Sequence, residues 1–390
     1  MKALFYRYGS ICEEGFIKAF REYGIEPVQI TKEMTEKSLL PSDCVRLVSS
    51  YLDNGDYTFV FSINFFPTVS DVCKIFNIPY MCIIVDSPVL ELYSPSLANP
   101  CNRVFLFDKC LYNEFEHVNP GKIYHIPLCT DVDVWDSAIA SAPSGRYCSD
   151  VAFVGSLYTE KDPYALYTGK PEYLDGYLTG LIEAQLKVYG YYFIDEVITE
   201  AIAKEFLENT PNGYRFPESY NAPDPALVSQ FYLGNHISAV ERVRLFKRIS
   251  ERFNVDIYTA SDTGSLPHIH NRGLAKTLTE MPVIFNRAGI NINPTSKAIR
   301  SGLPLRLFDL LGCRAFTITN YQSELTDIFT IGEHLEIYES LDDLEDKITF
   351  YLDRPDLRKE IAMAGYEEVK AKHTYTIRLG EMISLAFSAK

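Results

Sequence analysis

The chain has 390 residues, 47% apolar and 23% charged, a globular balance with enough apolar side chain for two cores and no disordered or low-complexity tract. Its net charge of −15, without any clustered run of Lys and Arg, excludes nucleic acid as the main partner, because a phosphate backbone is neutralised by concentrated positive charge. No apolar stretch approaches the roughly 20 residues that span a bilayer. The opening MKALFYRY reads as a strand rather than a secretion signal, so a cytoplasmic protein without a membrane span is expected.

The first third alternates short apolar runs with helical patterns. KALFYRY reads as a strand and EEGFIKAFREYG as a helix, with Phe16, Ala19, Phe20 and Tyr23 at helical spacing and Gly24 as its stop. A strand near EPVQIT and a helix around Ser42–Leu52 follow, then the strand YTFVFSINFF, the helix SDVCKIFN and the buried strand PYMCIIVD. RVFLFD, KCLYNEFEHV and KIYHIPL continue the rhythm. Continuous apolar strands separated by helices mean a parallel sheet covered on both faces, a Rossmann-like lobe over residues 1–140.

Around Asp136–Ser149 the small, polar text SAIASAPSGRYCS reads as an interdomain linker. The strand DVAFVGS opens a second lobe, expected over residues 150–375. Within it residues 163–231 are Tyr-rich and helical and read as an insertion. The strand rhythm returns with the helix VERVRLFKRISERF, then VDIYTA, GININPT, the helix LPLRLFDLLG, AFTITN, ELTDIF and HLEIY. The end is helical, and residues 376–390 are expected to pack back toward the first lobe. The fold class is therefore α/β, two Rossmann-like lobes facing a central cleft, with a helical insertion in the C-terminal lobe. Open parallel sheets bind ligands beyond the carboxyl ends of their strands, so two lobes suggest two substrates.

The nine cysteines have no C-x-x-C spacing, and those inside apolar runs, such as Cys82, read as small hydrophobes. His268 and His270 are the only close histidine pair and lack nearby Cys or acids in sequence. No metal is implied.

The chemistry is concentrated in Asn291–Phe329. A loop carries Ser301, Gly302 and Leu303 into a helix with Pro304 at its first turn, where Pro is preorganised. Free amides at a helix start favour a pyrophosphate, and Gly302 lets the chain approach it. Arg306 lies in the first turn, suited to a bidentate phosphate contact. Asp309, three residues on and on the same face, is suited to accept both ribose hydroxyls.

The run SGLPLRLFDLLGCRAFTITNYQSELTDIF, with LEIYESLDDLEDKITFYLDRPDLRKEIAMAGYEEVKAKHTY, resembles the C-terminal lobe of the CgeB-like (spore-maturation-type) glycosyltransferases, which have the GT-B fold. Upstream, SINFFPTVSDVCKIFNIPYMCIIVDSP, RVFLFDKCLYNEFEHV and HIPLCTDVDVWD follow the order of that family's N-terminal lobe, and DVAFVGS resembles the opening of its second lobe. The resemblance covers most of the chain outside about 163–231. It implies transfer of a sugar from a nucleotide-sugar, a uridine one by default, to a hydroxyl-bearing glycan or protein acceptor, without a metal or other cofactor. Many retaining GT-B enzymes carry two glutamates with seven residues between them. Here those places fall on Ser301 and Asp309. The ribose role passes to Asp309, the first role is altered, and the stereochemistry does not carry over.

Two carboxylates are candidates for the acceptor's general base: Glu13 in the loop after the first strand, and Asp86 at the end of IIVDSP, where related retaining enzymes often have His. Partial burial is expected to raise such a base toward working pH. Further donor-site candidates are Gly155 and Ser156 after a strand, Tyr258 and Ser261 bordering the base, Arg300, Lys161 and Lys276 on phosphate, and Glu324 on the donor sugar. His373 reads as a helix-end residue. Two alternatives stay open: a UDP-sugar 2-epimerase-like isomerase, and a non-catalytic nucleotide-sugar-binding or coat-associated protein. The oligomeric state is not readable from the sequence.

Overall fold

In a computed structural model that describes residues 1–37 and 39–387, the chain divides into two units. One comprises residues 1–130, 216–222 and the stretch from His373 on; the other comprises 131–215 and 223–372.

The first unit holds six parallel strands, β1 (Lys2–Tyr6), β2 (Glu26–Ile30), β3 (Phe59–Ile63), β4 (Tyr80–Ile83), β5 (Asn102–Leu106) and β6 (Ile123–His125), in the order β2-β1-β3-β4-β5-β6. The central strand β3, FVFSI, is buried along its whole length, as a strand covered on both faces must be. Its helices are α1 (Glu13–Glu22), α2 (Lys32–Thr35), α3 (Pro41–Asp53), α4 (Pro67–Ile75) and α5 (Lys109–Phe115). α1 buries Phe16, Ala19 and Phe20 on one stripe, and the Phe20 ring meets Phe61 at 5.1 Å and Phe5 at 6.2 Å. Each such ring contributes about 1.5–3 kcal/mol through burial. Past the helix end Gly24 takes φ +68°, which only glycine adopts without cost.

The second unit opens with α6 (Val132–Ser141) and β7 (Ser149–Val154). After β7 come α7 (Glu172–Gln185), α8 (Ile194–Val197), α9 (Glu200–Glu208), α10 (Asp224–Ala226) and a π-helical segment, Leu227–Leu233, that runs into α11 (Gly234–Ser250). The remainder is β8 (Val255–Tyr258), β9 (His270–Asn271), α12 (Met281–Arg287), β10 (Ala288–Asn293), α13 (Leu305–Gly312), β11 (Thr317–Asn320), α14 (Leu325–Ile328), β12 (Glu336–Tyr338), α15 (Leu341–Leu352) and α16 (Pro355–Lys372). The parallel sheet has the order β12-β11-β10-β7-β8-β9. One apolar cluster, around Phe246, Ile249, Ile257 and Ile348, brings α11 and α15 to the sheet; a second, around Trp135, Ile284, Phe285 and Leu310, brings α6, α12 and α13. The chain then returns to the first unit with α17 (Tyr375–Phe387), which packs on α1. The Tyr375 ring stands 5.0 Å from Phe16, and Gly15 makes the contact possible, since a Cβ there would lie 2.4 Å from that ring. Residues 388–390 of the C-terminal helical segment read from the sequence lie outside the described residues.

The structure corrects three boundaries. The predicted linker over 136–149, and with it the end of the first lobe at 140, gives way to α6, which belongs to the second unit. Val132, Trp135 and Ile139 recur at helical spacing there, and Asp136 accepts a hydrogen bond from Tyr366 at 2.8 Å and pairs with Arg314 at 2.7 Å. The predicted insertion is interrupted by residues 216–222, which belong to the first unit: Phe216 packs 5.1 Å from Tyr93, whose carbonyl accepts from the Asn221 amide at 3.0 Å. Strand β9 and helix α12 were not read from the sequence, β9 because two exposed residues carry no period.

Candidate functional site

In the second sheet the chain leaves β7 toward β8 on one side and reaches β10 on the other, so the strand order reverses between β7 and β10. Connections from the carboxyl ends of such neighbours diverge and open a crevice. Arg242 of α11 spans it. Its Nη1 donates to the carbonyl of Ser156 after β7 at 2.6 Å, and its Nη2 to the carbonyl of Pro294 after β10 at 2.7 Å. The guanidinium lies 4.2 Å over the Tyr158 ring, is 8% exposed, and leaves Nε without a hydrogen-bond partner. Burial lowers its pKa, opposed by the nearby Tyr158 and Glu241. It forms no ion pair with a carboxylate among the described residues. The sequence reading missed Arg242, although it falls on the stripe Ser238, Arg242, Leu245, Phe246, Ile249 that α11 buries; a charge on an apolar stripe is the signal.

The loop after β10 is braced from the β11–α14 connection. Gln322 Nε2 donates to the carbonyls of Ile299 at 3.1 Å and Gly302 at 3.2 Å, Asn320 Oδ1 accepts from the Thr295 amide at 2.6 Å, and the Glu324 amide donates to the Ser301 carbonyl at 3.3 Å. The Ser301 hydroxyl donates to Glu324 Oε1 at 2.6 Å, which joins two of the sequence candidates directly. Ser301, Gly302 and Leu303 are buried, and Pro304 is the N-cap of α13 with no side-chain cap bond. The first amides of the helix, at Leu305 and Arg306, have no intrahelical acceptor.

Arg306 is partly buried. It directs Nη1 to the sulfur of Met281 at 2.8 Å and lies 5.3 Å over the Phe285 ring. Burial lowers its pKa; Asp309, buried one turn further along, opposes that shift, and the charge of Arg242 adds to it. Arg306, too, forms no ion pair with a carboxylate among the described residues. An anion with more than one charge placed beside the open helix amides would relieve the repulsion between the two guanidinium groups.

The other candidates divide. Gly155 donates its amide to the Tyr258 carbonyl at 3.1 Å, and a Cβ on it would meet the Phe153 ring at 2.9 Å. Ser156 Oγ accepts from the Tyr158 amide at 2.8 Å and donates to Glu160 at 2.6 Å. Ser261 Oγ accepts from the Leu157 amide at 2.8 Å, so it shapes the same loop. The Tyr258 side chain is buried in the apolar cluster of α12 and α13, where its role is packing. Arg300 is corrected: it pairs with Asp195 at 2.8 Å, inside the insertion, and serves structure there. Lys161 lies 5.7 Å over the Tyr158 ring. A further cation the sequence reading passed over, Lys297, is buried and paired with Glu241 at 3.0 Å.

In the first sheet the order reverses between β1 and β3. Glu13, expected as a base, is fully buried. It accepts the amides of Tyr8 and Gly9 at 2.9 Å and of Ser10 at 3.1 Å, and Arg7 Nε at 2.8 Å. A carboxylate with its lone pairs so engaged holds a loop and takes no proton from a substrate, which corrects that candidate. Asp86 is exposed rather than partly buried as expected, and it accepts from Asn64 Nδ2 at 2.7 Å. His373 lies in the short connection between α16 and α17, where its Nδ1 contacts Arg378 at 2.8 Å.

No group of three or more His, Cys, Asp or Glu among the described residues is placed to hold a metal ion, and no helix there is long and apolar enough to cross a membrane. His270 instead lies 3.4 Å from Asp256.

Residues 242–384 match the protein family described as glycosyl transferase-like, a stretch that begins at Arg242 and includes α13. No curated protein matches the sequence. Among solved structures the chain is similar to a glycosyltransferase from Rickettsia africae, at 10% identity with a TM-score of 0.56, covering 100% of this chain and 99% of that one. It is similar to a sucrose-phosphate synthase from Thermosynechococcus elongatus, at 10% identity and TM-score 0.53 with 100% of both chains covered. It is likewise similar to Anabaena HepE in complex with UDP-glucose, at 10% identity and TM-score 0.52, covering 98% of this chain and 99% of that one. These likenesses show the fold: two α/β units of the GT-B type.

Proposed function

We propose that this chain is a GT-B glycosyltransferase that moves a sugar from a nucleoside-diphosphate donor to an acceptor hydroxyl, within the broader resemblance to the CgeB-like enzymes. The observation that carries the reading is the pair Arg242 and Arg306, two guanidinium groups at the reversal of the second sheet with no ion pair to a carboxylate among the described residues. The glycosyl transferase-like match over the same residues, and a structural neighbour solved with UDP-glucose, support it.

In this reading the donor diphosphate lies against the α13 amides, Gly155 and the two arginines, and Asp309 accepts from the ribose hydroxyls. The bond between the sugar's anomeric carbon and the diphosphate oxygen breaks, and its electron pair leaves with the diphosphate. The arginines and amides meet that growing negative charge already oriented, which lowers the barrier without reorganisation. A new bond forms from the anomeric carbon to the acceptor oxygen, whose proton passes to Asp86. Ser301 and Glu324 border the donor sugar. The guanidinium groups supply the positive charge, so turnover is expected to persist in EDTA.

A thermal-shift screen of UDP-, GDP-, dTDP- and CDP-sugars tests this, with a uridine donor expected to stabilise the protein most. A protein that no nucleotide-sugar stabilises overturns the reading. One that rearranges the sugar of a UDP-sugar supplied alone, with no acceptor present, is an isomerase instead.

A further inference from the structure

Asn64 stands at the carboxyl end of β3 with φ +58°, a left-handed conformation that Asn tolerates better than most residues. Every polar group it carries is used. Its amide donates to the Ile83 carbonyl at 2.8 Å, and its carbonyl accepts from Ser62 Oγ at 2.7 Å. Oδ1 accepts from the Val85 amide at 3.0 Å, while Nδ2 donates to Tyr8 Oη at 3.0 Å and to Asp86 Oδ2 at 2.7 Å. One side chain therefore ties together the residues that follow β1, β3 and β4, at the reversal of the first sheet.

The bond directions set what the two outer groups offer. Tyr8 Oη accepts from Asn64 and is also hydrogen-bonded to the Ser10 side chain, which as a donor leaves the phenol its own hydrogen to give. Burial raises the Tyr8 pKa first, the charge of Asp86 adds to this, and a contact from Ser10 opposes it, so the phenol stays neutral and keeps that hydrogen. Asp86 receives one bond from Asn64 and is exposed, so its remaining lone pairs face solvent. A hydrogen-bond donor and an anionic acceptor held by one amide match two neighbouring hydroxyls, one accepting from the phenol and one donating to the carboxylate.

We propose that Tyr8 and Asp86 form a recognition site for a vicinal diol of the kind sugars carry, with Asn64 the residue that positions both; the site is the acceptor site if the transferase reading holds. Among the described residues no other charged side chain is hydrogen-bonded to the three. The site favours an uncharged hydroxylated ligand over an anionic one.

The test uses the full chain and methyl hexopyranosides as probes, followed by saturation-transfer NMR. The wild-type protein is expected to bind those with free vicinal hydroxyls. Asn64→Gly keeps the left-handed backbone and removes only the side chain; with Asp86→Asn it should abolish the signal, and Tyr8→Phe should weaken it about fivefold to tenfold. Asn64→Asp keeps the oxygen that accepts from the Val85 amide and exchanges the nitrogen that holds Tyr8 and Asp86 for a second acceptor, so glycoside binding should fall as in Asn64→Gly while the melting temperature stays closer to wild type. A merely structural Asn64 would lose binding only in step with stability. Nucleotide-induced thermal shifts in the same variants report the second unit separately, so failure of the donor reading and failure of this one are distinguishable. A wild type that binds none of the glycosides, or an Asn64→Gly protein that binds them unchanged, overturns the proposal.

Discussion

The two sheets share parallel wiring and a reversal of strand order, yet the residues at their reversals carry opposite chemistry. At β1 and β3 the groups are a phenol, an amide and the exposed carboxylate of Asp86. At β7 and β10 they are Arg242, Arg306 and the start of α13. Scaffold geometry fixes where a ligand binds, and the residues placed there fix its charge: in the proposed reading, neutral and hydroxylated in the first unit and anionic in the second.

The largest effect that sharpens this contrast is expected at Asp86. Asp86→Asn should lower turnover about 10²- to 10⁴-fold, as loss of a general base does, with donor affinity unchanged by calorimetry. A weaker donor affinity in this variant would mean that the two reversals do not divide the substrates. Next comes Arg306→Met, which should weaken binding of the nucleotide-sugar about 10- to 100-fold, the cost of losing a hydrogen bond to a charged group. Its thermal stability should hold or rise, because the change removes a partly buried charge and leaves an apolar chain beside Met281 and Phe285. Glu13→Gln should behave in the opposite way. It loosens the β1–α1 loop at a cost of about 1–3 kcal/mol in stability, read from denaturant unfolding, with donor affinity intact.

The same contrast explains what was legible in the sequence. A strand such as FVFSI is largely apolar because both faces are covered, and composition alone reveals that. The turn from Ser301 to Arg306 was readable because Gly, Pro and Arg each have a local reason to be there. Arg242 was not, because its partners are carbonyls 86 and 52 residues away and nothing near it in sequence names them. Asn64 was hidden for the same reason, its bonds reaching Tyr8 and Asp86. Glu13 and Arg300 show the converse. Their residue types suit a cleft, and only the tertiary partners, three loop amides and Asp195, reveal that each is already occupied. The boundary near residue 140 failed because small residues in SAIAS masked the helical spacing of Val132, Trp135 and Ile139.

The smallest predicted effect lies in the loop after β7. Burial would raise the pKa of Glu160, but hydrogen bonds from Ser156 and Ser261 outweigh it, with help from Lys161, and the folded value is lowered. A carboxylate with a lowered folded pKa contributes stability that is present above its unfolded value, about 4.3, and is lost as pH falls through the folded one. Between pH 5 and 8 the loop should therefore hold Ser156 unchanged, and Glu160→Gln should leave the melting temperature nearly flat across that range. Below about pH 4 the wild type should lose the contribution while the variant, with nothing there to titrate, loses less. Because Glu160 is largely exposed, solvent screens the interaction and the difference should be small. If the two melting curves stay parallel down to pH 3, Ser156 is oriented by the Tyr158 amide rather than by Glu160, and donor affinity in the variant should match wild type.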